Sequence, residues 1–319
     1  MTASIGGARK EYLGGARSIN GLTLGEMIPV TSSEDVTVYC PEFGRYAFYN
    51  SPYPAHRLST GVDVYPGVGF GDVAGSPVGG EVIQIRKVKA PRGRTFKDHG
   101  YDVVTVIRSS ENPGRVVKTL HIEPVVECGD VLEPGQDLGA LIRSGYYGFS
   151  TAPHIHVEVR PPSDPLRVRG GSRLRRLLDV GSPEPLDELR GVVTRSSPEY
   201  TVAKLEGVPA HGVPCTVGGA PGLLDGGIPY YGWLGVHMGS VAPRGDLVEL
   251  CGKPIAEVSS LRGNSCIAEC TDFSFRLDGI PIGLSLYLHP RAEPEVLLIP
   301  MRPGGLELET STEITIEVE

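Results

Sequence analysis

Turn-forming residues punctuate this chain throughout, and that limits its fold more than any other feature. The 319 residues include 43 Gly and 28 Pro. They fall between short runs of Val, Ile, Leu and Tyr and do not gather in one tract. Runs of roughly four to eight such residues suit strands, and Gly and Pro supply the turns between them. The expected fold class is therefore all-β. A chain of 319 residues is long enough for two domains. With 40% hydrophobic and 21% charged residues, a packed globular protein is expected and not a disordered one.

Strand patterns occur at 36–40, 60–65, 81–88, 103–108 and 116–122. They return at 200–205, 230–238, 247–251, 273–277, 284–289, 295–299 and 313–319. Between the two groups the texture changes. Residues 161–190 hold Pro161, Pro162, Pro165, Pro183 and Pro185, with Arg167, Arg169, Arg173, Arg175 and Arg176 among them. This segment is expected to connect two β-rich domains, 1–162 and 191–319, through 163–190. A short helix is expected over 172–180, and the basic run is expected to be a solvated face. The Gly-rich residues 1–35 are expected to be partly loose.

The net charge of −8 argues against a nucleic-acid partner. Residues 191–319 hold 8 Lys+Arg and 16 Asp+Glu, so by subtraction from 30 and 38 the rest hold 22 and 22. All of the net charge thus lies in the second half. No apolar run approaches the roughly 18 residues of a membrane span, so no membrane partner is expected. Residues 1–21 show no apolar signal core, and a cytoplasmic location is expected. The six cysteines (Cys40, Cys128, Cys215, Cys251, Cys266 and Cys270) form no Cys-x-x-Cys pair. Cys266 and Cys270 alone cannot make a structural zinc site, and reduced, mostly buried thiols are expected.

One stretch carries chemistry: Thr151-Ala152-Pro153-His154-Ile155-His156-Val157-Glu158-Val159. On a strand, side chains alternate faces. His154, His156 and Glu158 then share one side, and Ile155, Val157 and Val159 share the other. The two imidazoles are about 7 Å apart along the backbone, so one could ligate a metal while the other handles protons. His211, His237 and His289 are isolated in sequence and are expected to be packed or surface residues.

Five pieces, in order, extend this motif. They are Gly61-Val62-Asp63-Val64, Ser76-Pro77-Val78-Gly79-Gly80-Glu81-Val82, Thr119-Leu120-His121-Ile122, the turn-rich 126–139, and the closing His154-Ile155-His156 strand. Together, over about a third of the chain, they resemble the lysostaphin-like (LytM-type) zinc endopeptidases. The resemblance implies a β-sandwich with a Zn2+ site in a groove. It implies Asp63 and His156 as metal ligands, and His121 and His154 as the catalytic histidines beside the metal water. It further implies a zinc-dependent endopeptidase whose substrate is a peptide; in the family these are often Gly-containing cross-links of cell walls. The family's first ligand is a histidine four residues before the Asp. Here Ser59 stands there, and the nearest histidine, His56, is seven before Asp63. His56 completes the ligand set if residues 57–60 bulge. Otherwise two protein ligands remain, and the groove binds a peptide or partner without cutting. A phosphocarrier-like protein with facing histidines is a weaker alternative.

Overall fold

The computed structural model describes residues 18–19, 22–23, 25–93, 95–208 and 211–319. The expected loose N-terminus lies largely outside them, although Met27–Ser33 forms a strand that the sequence did not suggest. The fold is all-β, as expected. Its one helical element among the described residues is the four-residue turn Pro54–Arg57. None of the described helices is long and apolar enough to cross a membrane.

The first half is built on a seven-stranded antiparallel sheet. Its order is Val131–Leu132, Gly80–Lys89, Tyr101–Ser109, Val116–Leu120, Ile155–Arg160, Val62–Tyr65, Arg45–Ala47. Two three-stranded sheets accompany it. One orders Ile122–Pro124, Asp137–Leu141 and Val73–Gly75; the other orders Arg175–Arg176, Met27–Ser33 and Val36–Pro41. Strand alternation sends Ile155, Val157 and Val159 into a core shared with Val62, Val64, Ile122, Leu138 and Val38. The opposite face of the same strand carries His156, Glu158 and Arg160, and it too is buried.

The expected strand over 116–122 is two strands that belong to different sheets. The break is at His121, whose φ is +73°. A non-glycine residue rarely adopts that conformation without help. The carboxylate of Asp102 supplies it, accepting from the His121 backbone N–H at 2.9 Å and from its Nδ1 at 2.6 Å.

The second half is one twelve-stranded antiparallel sheet that closes on itself twice. One ring contains Val213–Val217, Leu247–Leu250, Lys253–Leu261, Ser265–Cys270, Trp233–Met238 and Ala220–Ile228. The other contains Leu189–Ser196, Thr201–Leu205, Glu295–Pro300, Ile280–Leu286, Phe275–Leu277 and Glu313–Val318. The strand Ala220–Ile228 fuses them: its earlier residues pair within the first ring, and Gly226–Ile228 pair with Ile280–Leu286 of the second. The first ring is thus inserted between two strands of the second. Every strand expected beyond residue 200 is present, shifted slightly at its ends. Five strands were not expected, among them Val213–Val217 and Ala220–Ile228, because Pro214, Pro221, Gly222, Gly226 and Gly227 disguise them as turns.

No helix forms over 172–180. Backbone donors that a helix would use internally are taken by the first half instead: Leu174 N–H donates to Ser59 O, and Leu177 N–H to Val30 O, at 2.8 and 3.0 Å. Leu174 and Val180 join the first half's core. Arg167 and Arg169 are exposed, but Arg176 is buried and donates to Met238 O at 2.9 Å, so the basic run is only partly a solvated face. The halves also meet directly. Tyr46 and Leu288 form a β-bridge, and Ala47, Tyr65 and Ala152 pack with Val202, Tyr287, Leu297 and Ile299.

Candidate metal centre

Sheet register places the first two residues of the site. Asp63 and His156 stand directly opposite each other on Val62–Tyr65 and Ile155–Arg160, and opposed residues of an antiparallel pair share a face. His156 Nδ1 donates to Asp63 Oδ1 at 2.8 Å. His56 arrives by another route. Tyr53 is extended (φ −73°, ψ 149°), as a residue before proline should be, and Pro54 opens the helical turn. The amides of Thr60 and Gly61 then donate to Ala55 O and bring the chain back. Gly61 is required there, because a Cβ would lie 2.7 Å from His156 Cε1 and 3.0 Å from Ala55 Cβ. The bulge between His56 and Asp63 therefore exists. It sets His56 Nε2 at 3.2 Å from His156 Nδ1 and 3.4 Å from Asp63 Oδ1. Donor atoms of His56, Asp63 and His156 all lie within 4.8 Å of one another. Ser59, at φ +57°, turns its hydroxyl to Tyr49 OH at 3.0 Å.

Both imidazole donors are held from behind. His56 Nδ1 donates to Phe48 O at 2.8 Å, which leaves Nε2 toward the cluster. His156 Nε2 donates to Glu158 Oε1 at 3.2 Å. Glu158 is in turn gripped by Lys118 at 2.7 Å and Arg160 at 2.5 Å. Burial opposes the Asp63 carboxylate, but His154, His56 and His156 outweigh it and hold the group well below the usual carboxylate range. Burial also works against charge on His156, yet hydrogen bonds to Asp63 and Glu158 raise it to about 9. Both of its ring nitrogens face carboxylates, so the ring carries a proton where a metal could sit, and metal uptake should release that proton. Two imidazoles and one carboxylate suit a divalent metal with a position left open.

Two further imidazoles border this cluster. His154 Nδ1 donates to Ala152 O at 2.9 Å, and its Nε2 lies 3.6 Å from Asp63 Oδ2. Burial pushes His154 down to about 4, against the pull of Asp63. His121 sits 5.0 Å from the His154 ring, and Tyr147 stacks on His154 at 4.8 Å. Burial raises the Asp102 carboxyl, but His121 overrides it and holds the group at about 2. His121, Tyr147 and His154 line a pocket of about 460 Å³ together with the cluster, with Tyr53, Tyr146 and Tyr231 on its walls and Val104, Leu120 and Leu166 beyond.

All five histidine and aspartate positions singled out from the sequence (His56, Asp63, His121, His154 and His156) thus come together in one pocket. Asp102 and Tyr147 were missed. An acidic residue inside the apolar run Tyr101–Ser109 was the available signal for Asp102. Glu158 was noted only as sharing a face with the histidines. Of the isolated histidines, His237 is buried against Asp225 at 3.0 Å, and His289 is buried with its backbone tied to His211.

Residues 35–176 are similar to a family described as "Domain of unknown function (DUF8155) N-terminal domain". The matched span contains the whole cluster and ends before the double ring. No curated protein and no solved structure matches the chain.

Proposed function

We propose that the chain is a zinc-dependent hydrolase, of the lysostaphin-like kind, that cleaves a peptide bond. One observation carries this assignment: His56 Nε2, Asp63 Oδ1 and His156 Nδ1 converge beneath two more imidazoles, His121 and His154, in a single pocket. His56, Asp63 and His156 would hold Zn2+, which when bound would supply Lewis-acid chemistry to a water and a carbonyl. The chain's own groups do the rest. Asp102 fixes the Nδ1–H of His121, and Ala152 O fixes that of His154, so both rings offer Nε2 to the reacting atoms. One imidazole takes the proton of the attacking water while the other steadies the negative oxygen that forms at the carbonyl. The proton then passes to the leaving amine. Tyr53, Tyr146 and Tyr147 with the apolar wall exclude water and grip an uncharged stretch of peptide.

The setting proposed is cytoplasmic, supported by six cysteines of which none is paired, with neither nucleic acid nor membrane as partner. Purified protein should hold about one zinc per chain and release new amino termini from a mixed peptide library. Protein that takes up no zinc sinks the proposal. Protein that binds zinc and peptide but releases no product is the non-cutting module instead.

A further inference from the structure

We infer that the double ring sets the position of His56, with Asp225 as the positioning residue. Its meaning for metal binding rests on the zinc assignment above; the positioning itself does not. Asp63 and His156 need only the first sheet, because they are opposed residues of paired strands. His56 has no such support. It rides on a four-residue turn, and turns of that length do not hold themselves. The hydrogen bond that turns its ring toward the cluster is the one from Nδ1 to Phe48 O.

Phe48 lies just past the edge strand Arg45–Ala47, where sheet pairing stops. The N–H of Phe48 donates to Asp225 Oδ2 at 2.7 Å, and the same oxygen takes His237 Nε2 at 3.0 Å. Asp225 lies on Ala220–Ile228, the first-ring strand that joins the two rings, and His237 on its neighbour Trp233–Met238. Both side chains are fully buried. The Phe48 and Tyr49 rings pack on His237 at 5.2 and 5.4 Å. Gly235 makes room for this, since a Cβ there would fall 1.8 Å from Tyr49 Cδ2.

The far side of the His56 loop is tied to the same ring. Tyr49 OH bridges Ser59 Oγ at 3.0 Å and Ser265 Oγ at 2.8 Å. Arg57 pairs with Glu269 and lies over Trp233 at 5.3 Å, while Arg262 donates to Arg57 O at 3.2 Å. The backbone is therefore anchored to the second half both before and after His56. Ligand placement tolerates only about 0.5 Å, so the second half completes the donor set without contributing a donor.

The test uses the full chain with Asp225→Ala, Asp225→Asn and, as a control in the core of the same ring, Val258→Ala. Imidazole 1H–15N spectra of metal-free protein report the His56 tautomer, and chelator competition reports zinc affinity. In the wild type, His56 carries its proton on Nδ1. Asp225→Ala should lose that fixed tautomer and bind zinc about 10- to 100-fold more weakly, the usual scale for groups that orient ligands. Asp225→Asn keeps an oxygen for the Phe48 N–H and should restore most of both, and Val258→Ala should move neither. If Asp225→Ala does not fold, Tyr49→Phe, which removes the hydroxyl bridge and keeps the ring, should weaken zinc about threefold to tenfold. A folded Asp225→Ala protein with an unchanged His56 ring and unchanged zinc affinity overturns the positioning; under the Tyr49→Phe substitution the same result does so. If the wild type takes no zinc, the zinc assignment falls, and the ring spectra alone decide the positioning.

Discussion

The seven-stranded sheet and the double ring are made of the same antiparallel strands and each has an apolar core, yet the first half also encloses a chain of linked charged groups. Behind the strand Ile155–Arg160, the first half encloses His156, Glu158, Arg160, Lys118 and Asp63 in one connected network. The core of the double ring is hydrocarbon: Leu224, Val236, Val258, Phe275, Leu284 and Leu298 are typical of it. Desolvating charge costs several kcal/mol per ion before pairing recovers it, whereas apolar burial stabilises by about 25 cal/mol per Å². A fold that carries such a site gains from a second body that supplies stability and also holds one of its walls. Closing the sheet into rings provides that body, and leaving the first sheet open provides the groove.

The sharpest separation comes from His156→Ala. Metal analysis should show most of the zinc lost, because one of three ligands is gone, with the double ring intact; a variant that still holds about one zinc breaks the contrast. Phe275→Ala should do the reverse, lowering stability by about 3–5 kcal/mol in urea while zinc affinity stays put. A matching loss of zinc in the folded variant would mean that the ring core, and not the contacts around Asp225, governs the site. His121→Ala and His154→Ala should both keep their zinc and lose turnover by on the order of 10²-fold. Metal loss in either one exchanges the roles of ligand and proton carrier.

The effect least tied to the site is acid sensitivity. Burial, with Arg45 and His211 nearby, pushes His289 down to about 3. Unfolded, the same imidazole titrates near 6.5. Above that pH neither state is protonated and His289 changes nothing. Between about 6.5 and 3 only the unfolded chain takes the proton, so stability should fall by up to about 1.4 kcal/mol per pH unit. Urea midpoints measured for the wild type and His289→Gln should converge as pH drops through that window; parallel curves would exclude His289 as the cause.

Where function follows strand period, the sequence was readable. Alternation alone put His156 and Glu158 on one face, and the order of motifs put Asp63 beside them. His56 was readable only as a proline-stiffened turn, since nothing in the sequence shows that Tyr49 and Asp225 hold it. Asp102 lies 19 residues from the His121 it serves, and pairing across strands at that distance leaves no local pattern. The rings were hidden for a related reason. The strand that joins them, Ala220–Ile228, is rich in glycine and proline, and only its partners reveal it as a strand.

Ring closure has a consequence outside the site. Open sheet edges invite other chains to add strands, the route to fibrils. Neither ring has a free edge among the described residues. The seven-stranded sheet ends in the two-residue strand Val131–Leu132 on one side, and on the other in Arg45–Ala47, where Tyr46 exchanges both backbone hydrogen bonds with Leu288. Val36–Pro41, an edge of the smaller sheets, has the amides of Thr37 and Tyr39 already committed to Glu111 and Pro77. A chain with so many strands and so few open amides should resist stacking onto its neighbours in a crowded cell.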